Sequence, residues 1–101
     1  MLVILTTTSN TDEAESLANG LVEHRLAACV QILPKMTSVY AWEGKVEKES
    51  EHLLLIKTLP EKYEAVEKYI LDRHTYDTPE IVAIPAEKVS AGYLKWLTSY
   101  L

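Results

Sequence analysis

Residues 26–58, LAACVQILPKMTSVYAWEGKVEKESEHLLLIKT, decide how this chain folds. The stretch reads as two long strands folded back on each other about Glu43-Gly44-Lys45. Its first arm carries Cys29, Val30, Ile32, Val39, Tyr40 and Trp42, and its second Val46, Leu53, Leu54, Leu55 and Ile56. β-Branched and aromatic side chains suit a pleated, half-buried surface. Glu-Gly is a weaker turn signal than Asn-Gly, but Gly44 can take the positive φ that a tight hairpin needs. A two-residue turn there pairs Tyr40 with Glu47 and Val39 with Lys48. Pro34 has no N–H to give a ladder, which implies a bend near Pro34–Met36 between a core half and a projecting half. One bulge residue at that bend shifts the register beyond it. Each arm is longer than the usual strand of about 5 or 6 residues. Such a ribbon reaches past a small domain's own core and needs something to cover it.

Upstream, Leu2–Leu5 is an apolar run that fits a central strand covered on at least one face. Asn10, with Glu13 three residues on, makes an N-cap with a return bond from the glutamate. Ala14, Leu17, Ala18, Leu21 and Val22 then share one helical face, and the helix ends near Arg25. Downstream, Thr58 caps a second helix with Pro60 in its first turn and Glu61 three residues on. Tyr63, Val66 and either Tyr69 or Ile70 face inward, and this helix stops around Arg73-His74. A loop over Tyr76–Glu80 leads to a short apolar strand, Ile81–Ile84, stopped by Pro85. Ser90 caps a last helix with Tyr93, Leu94, Leu97 and Tyr100. The order β-α-β-β-α-β-α, with right-handed crossovers, predicts an α+β, ferredoxin-like sandwich with a long hairpin and an added C-terminal helix. Helices cover one face of its antiparallel sheet. Yet Leu53–Ile56 and Ile81–Ile84 are apolar on both faces of their strands, so the uncovered face predicts self-association.

Composition bounds the function. One domain fills the 101 residues. A formal charge of −5 argues against nucleic acid, which calls for a basic stripe, and against anionic membrane surfaces. No apolar run approaches the roughly 20 residues that span a bilayer. The opening MLVILTTTSNTDE has no basic leader region and reads as a strand. The single cysteine, Cys29, has no internal disulfide partner, which favours a reducing, cytoplasmic setting. G-x-S-x-G, P-loop and G-x-G-x-x-G motifs are missing, so the chain reads as a non-enzyme.

The stretches LAACVQILP, SVYAWEGKVEKESE, LLLIKT, HTYDTPEIVAIP and GYLKWL, in this order and spacing, closely resemble the CutA family of divalent-cation-tolerance proteins. That resemblance covers essentially the whole chain. It implies a homotrimer similar to the PII signalling trimers, with sheets facing inward and hairpins interlocked. It also implies tolerance of copper and other divalent ions, with no metal required for folding. Some copper-binding members carry a cysteine at the end of the first strand and two histidines before the Tyr-x-x-Pro-Glu motif. Those positions are Thr6, Arg73 and His74 here, so only His74 is kept.

The residues themselves offer two metal candidates. His74 lies in a loop, where an imidazole suits Cu(II) or Zn, with Asp77, Glu80 or another copy supplying further ligands. The structural alternative is a helix-end cation favoured by the dipole. Cys29 suits Cu(I) as a thiolate, or packs as a small hydrophobe. Tyr40, Trp42, Glu51, Lys57 and Tyr76 are the polar-tipped side chains expected to meet in a subunit cleft, where Lys57 would receive an anionic or other small ligand. Plain oligomer contacts use the same aromatics. Glu43, Glu47, Glu49 and Glu51, interleaved with Lys45 and Lys48, are expected to form cross-strand salt bridges.

Overall fold

A computed structural model describes all residues, Met1–Leu101. The elements run β1 (Leu2–Thr8), α1 (Thr11–Glu23), β2 (Cys29–Ile32), β3 (Met36–Trp42), β4 (Lys45–Thr58), α2 (Tyr63–Arg73), β5 (Val82–Pro85) and α3 (Ala91–Tyr100). A 3-10 turn, Pro60–Lys62, leads into α2. The sheet is antiparallel, ordered β2-β4-β1-β5, and β3 pairs with the outer half of β4. This is the expected ferredoxin-like α+β arrangement, with β2 and β3 as the two halves of the ribbon's first arm.

The 14 residues of β4 rise about 3.3 Å each, which accounts for the 44 Å long axis beside two axes of 25 and 24 Å. Tyr40 faces Glu47 and Val39 faces Lys48, as a two-residue turn requires. Both turn residues take positive φ, Glu43 at 48° and Gly44 at 76°, the type I′ geometry whose twist matches the flanking strands. At the proline, Ile32 faces Leu54 while Met36 faces Glu51. Three residues, Leu33–Lys35, therefore oppose two, His52 and Leu53. The extra residue is a bulge, and it bends the ribbon where Pro34 cannot donate.

The core lies between one sheet face and the first two helices. Ile4, Leu54 and Ile56 on the sheet meet Ala14, Leu17, Leu21, Val66 and Ile70, all essentially solvent-free. Burying each large side chain is worth about 1.5–3 kcal/mol. On the opposite face Leu5, Leu53 and Leu55 are half-buried, while Val82 and Ile84 remain 47% and 48% exposed. At the projecting end Val39, Trp42 and Val46 are exposed as well.

Helix ends show where local signals yielded. Asn10 caps α1 through a bond from the Glu13 N–H (2.8 Å), but the Glu13 side chain does not return to Asn10; it turns to the loop after α2. α1 stops at Glu23, earlier than Arg25, and ends in a Schellman turn with Arg25 at φ 56°. The Leu26 and Arg25 amides bond the Leu21 and Val22 carbonyls there. Thr58 is not a cap. It is the last residue of β4, and its hydroxyl donates to the Leu26 carbonyl (2.6 Å). Ser90 holds the N-cap position of α3 without a side-chain bond.

Candidate functional site

Where the ribbon leaves the core, β1, the ribbon and the loop after α2 enclose a hollow of about 690 Å³. Tyr40, Trp42 and Tyr76 give it aromatic walls, and Glu47, Glu49, Glu51, Asp77 and Glu80 line it without a single cationic side chain. Alternation explains the ribbon's share. Ser38, Tyr40 and Trp42 occupy one pleat face, and their register partners Glu49, Glu47 and Lys45 stand on the same face. The expected cross-strand salt bridges are absent from the ribbon. Lys45 faces Trp42, and Lys48 faces Val39 on the other pleat face, so neither ammonium reaches a carboxylate.

Glu51 is the buried member, at 7% exposure. The Tyr76 hydroxyl donates to its Oε2 at 2.8 Å, and Ser38 and Thr7 donate as well. Burial raises the Glu51 carboxyl, but these bonds outweigh it and hold the group below its ordinary value. Burial, and then the Glu51 carboxylate beside it, drive the Tyr76 phenol well above its usual range. The pair therefore has a fixed sense, phenol donor to carboxylate acceptor.

His74 anchors the same loop from beneath. Its ring has no solvent exposure. Nε2–H donates to the Thr7 carbonyl (2.6 Å), and Nδ1 accepts from the Tyr76 N–H (3.0 Å). The Tyr76 ring packs on it with centroids 4.7 Å apart. Glu13 Oε2 takes a bond from Thr75 Oγ1 (2.9 Å), and Glu13 Oε1 lies 3.5 Å from His74 Nδ1 with no hydrogen-bond partner of its own.

In this chain both ring nitrogens of His74 are engaged, Nε2–H by the Thr7 carbonyl and the Nδ1 lone pair by the Tyr76 N–H. His74 and Cys29 also sit at opposite ends of the sheet. His74 bonds Thr7, whereas Cys29 pairs with Lys57, which faces Val3, four residues and roughly 13 Å away along β1. Nowhere do three His, Cys, Asp or Glu side chains converge on one point. Cys29 is a free thiol, half-buried on the edge strand.

Of the five expected pocket residues, Tyr40, Trp42, Glu51 and Tyr76 line the hollow together. Lys57 does not join them. It lies six residues along β4 from Glu51, roughly 20 Å away, with its ammonium 5.5 Å above the Tyr93 ring. Within one chain the hollow presents carboxylates, and Lys57 lies outside it. The carboxylates of Asp77 and Glu80, and the supporting pair Thr7 and Glu13, were not nominated as pocket residues. No spacing in sequence links β1, α1 and the loop after α2; only the crossovers bring them together.

The sequence matches the family model described as CutA1 divalent ion tolerance protein over residues 2–100. It is 44% identical over 96 residues to the chloroplastic protein CutA of Arabidopsis thaliana, covering 95% of this chain and 53% of that protein. The chain likewise spans 60% of the Xenopus laevis CutA homolog, so it covers only part of these relatives. With the divalent-cation tolerance protein CutA of Thermus thermophilus it shares 42% identity over 94% of this chain and 92% of the other. The solved structure of a Thermus thermophilus divalent cation tolerance protein superposes with a TM-score of 0.93 at 42% identity, over 96% of this chain and 95% of that one. The Archaeoglobus fulgidus structure, described as a periplasmic divalent cation tolerance protein CutA, gives 0.95 at 38% identity over 99% and 98%. Sequence and fold agree along the whole length: the chain belongs to the CutA1 divalent ion tolerance protein family.

Proposed function

We propose that the chain works as a non-catalytic homotrimer that takes up copper and other divalent cations loosely, in a reducing compartment such as the cytoplasm. The carrying observation is the hollow at the ribbon root, whose five carboxylates meet no cationic side chain. Uncompensated carboxylates in a recess raise the local concentration of cations without a chelating cage. Absence of a converging ligand set in one chain fits loose uptake, or ligands completed between copies. The trimer is supported by the apolar sheet face, where Val82 and Ile84 stay half exposed. Cys29, free and half-buried, is the one thiol on offer and suits Cu(I).

Calorimetric titration of Cu(II) and Zn(II) tests the proposal on the wild type and on a Glu47→Gln/Glu49→Gln variant. The proposal expects affinity to fall severalfold when these two charges are removed. Cu(I) binding should weaken in Cys29→Ser. Unchanged affinity and stoichiometry in both variants would remove the hollow and the thiol from the account.

A further inference from the structure

We infer that the hollow of one copy receives Lys57 of the next, so that the site at the ribbon root is completed only in the assembly. This pairing rests on the self-association proposed above and fixes which ends of neighbouring sheets meet.

Alternation along β4 places Glu47, Glu49, Glu51, Leu53, Leu55 and Lys57 on one pleat face. In chain order that face is acidic, then apolar, then cationic. Its acidic end is the hollow, where Asp77 and Glu80 join the three glutamates and no cation is present. Its middle is apolar, with Leu53 and Leu55 half-buried and Val82 and Ile84 half exposed beside them. Its far end is Lys57, which shares a cross-strand row with Val3 and Ile84, roughly 20 Å from Glu51.

Neither end finds its counterpart within the chain. The one lysine ion pair is Lys68–Asp72 (2.8 Å), whereas the Lys57 ammonium has only the Tyr93 ring, at 5.5 Å. A copy that covers the apolar middle also takes water from both ends. An ammonium, or a set of carboxylates, stripped of water without a partner is costly. Copies around a threefold axis meet through unlike patches, which sets the cationic end of one sheet beside the acidic end of the next. The long, flexible lysine stem lets the ammonium leave Tyr93 for a carboxylate. One ammonium against five carboxylates leaves the hollow acidic, so cation uptake there is compatible with the pairing.

Other cations fit less well. Lys45 shares the pleat face but stands exposed at the ribbon tip. Arg25 and Arg73 are engaged over the Tyr100 and Tyr69 rings.

Equilibrium sedimentation of the full chain tests the pairing through a charge-reversal cycle: wild type, Lys57→Glu, Glu49→Lys and the double variant. Each single reversal sets like charges together and should raise the dissociation constant of the assembly by about tenfold or more. The double reversal restores opposite charges and should return it to within about threefold of wild type. Glu49 is exposed, so Glu49→Lys spares the fold and its effect counts even if Lys57→Glu disturbs the Tyr93 contact. An assembled wild type that Glu49→Lys leaves untouched would overturn the pairing and keep the assembly. So would a folded double variant no tighter than the single ones. A monomeric wild type would overturn both.

Discussion

The Tyr76 hydroxyl donates a 2.8 Å hydrogen bond to Glu51 Oε2 across the floor of the hollow. It joins a loop that follows α2 to a strand 25 residues earlier in the chain. Tyr76→Phe deletes this donor while Ser38 and Thr7 still serve Glu51. A hydrogen bond to a buried charge is worth about 1.5–3 kcal/mol, so denaturant melts at neutral pH should show a loss of that order.

The same pair sets an acid limit. The Glu51 carboxyl is held below its ordinary 4.5 in the fold, so its contribution is fully present above that value. It is lost as pH falls through the lower, folded value. Stability should therefore decline on acidification below about pH 4.5, and Tyr76→Phe should make the decline shallower, because its folded carboxyl lies closer to the unfolded one. Denaturant melts over the acid range read the slope directly.

Glu43 occupies the first position of a type I′ turn at φ 48°, where a side chain other than Asn, Asp or Gly is disfavoured. Glu43→Asn should stabilise the ribbon by about 0.5–1 kcal/mol, seen as a higher melting temperature. Gly44→Ala should cost about 1 kcal/mol.

Thr6 is fully buried on the helix-facing side of β1, and its hydroxyl has no partner. Thr6→Val keeps the shape and removes an unsatisfied polar atom. The variant should be more stable by about 1 kcal/mol.

Arg25 combines a strained backbone with a clamp. At φ 56° it donates to the Tyr100 carbonyl (2.8 Å) and stacks 4.5 Å over the Tyr100 ring, while the Tyr100 hydroxyl bonds the Val22 carbonyl. Arg25→Ala loses the clamp and keeps the strain, whereas Arg25→Gly loses the clamp and relieves it. The alanine variant should be the less stable of the two by about 1 kcal/mol, and both should speed hydrogen exchange in α3.

Much of this fold was legible because its signals are local. Alternation and a single Gly placed the hairpin register, Pro34 marked the bulge, and the 3.6-residue period found α1 and α2. Where the reading went astray, a longer-range partner had displaced a short-range one. Thr58 has the spacing of a helix cap but continues β4 and bonds Leu26. Glu13 has the spacing of a capping box, yet its carboxylate goes to Thr75 and His74. Nor can sequence show that a β1 carbonyl and its own loop amide engage both ring nitrogens of His74.

If copies of this chain cover the sheet face carrying Val82 and Ile84, equilibrium sedimentation of the metal-free protein should give a species of three times the 11.4 kDa chain mass, unchanged by Cu(II) and broken by Ile84→Asp. A monomer that assembles only when Cu(II) is added would instead make the metal, and not the apolar face, the cause of assembly.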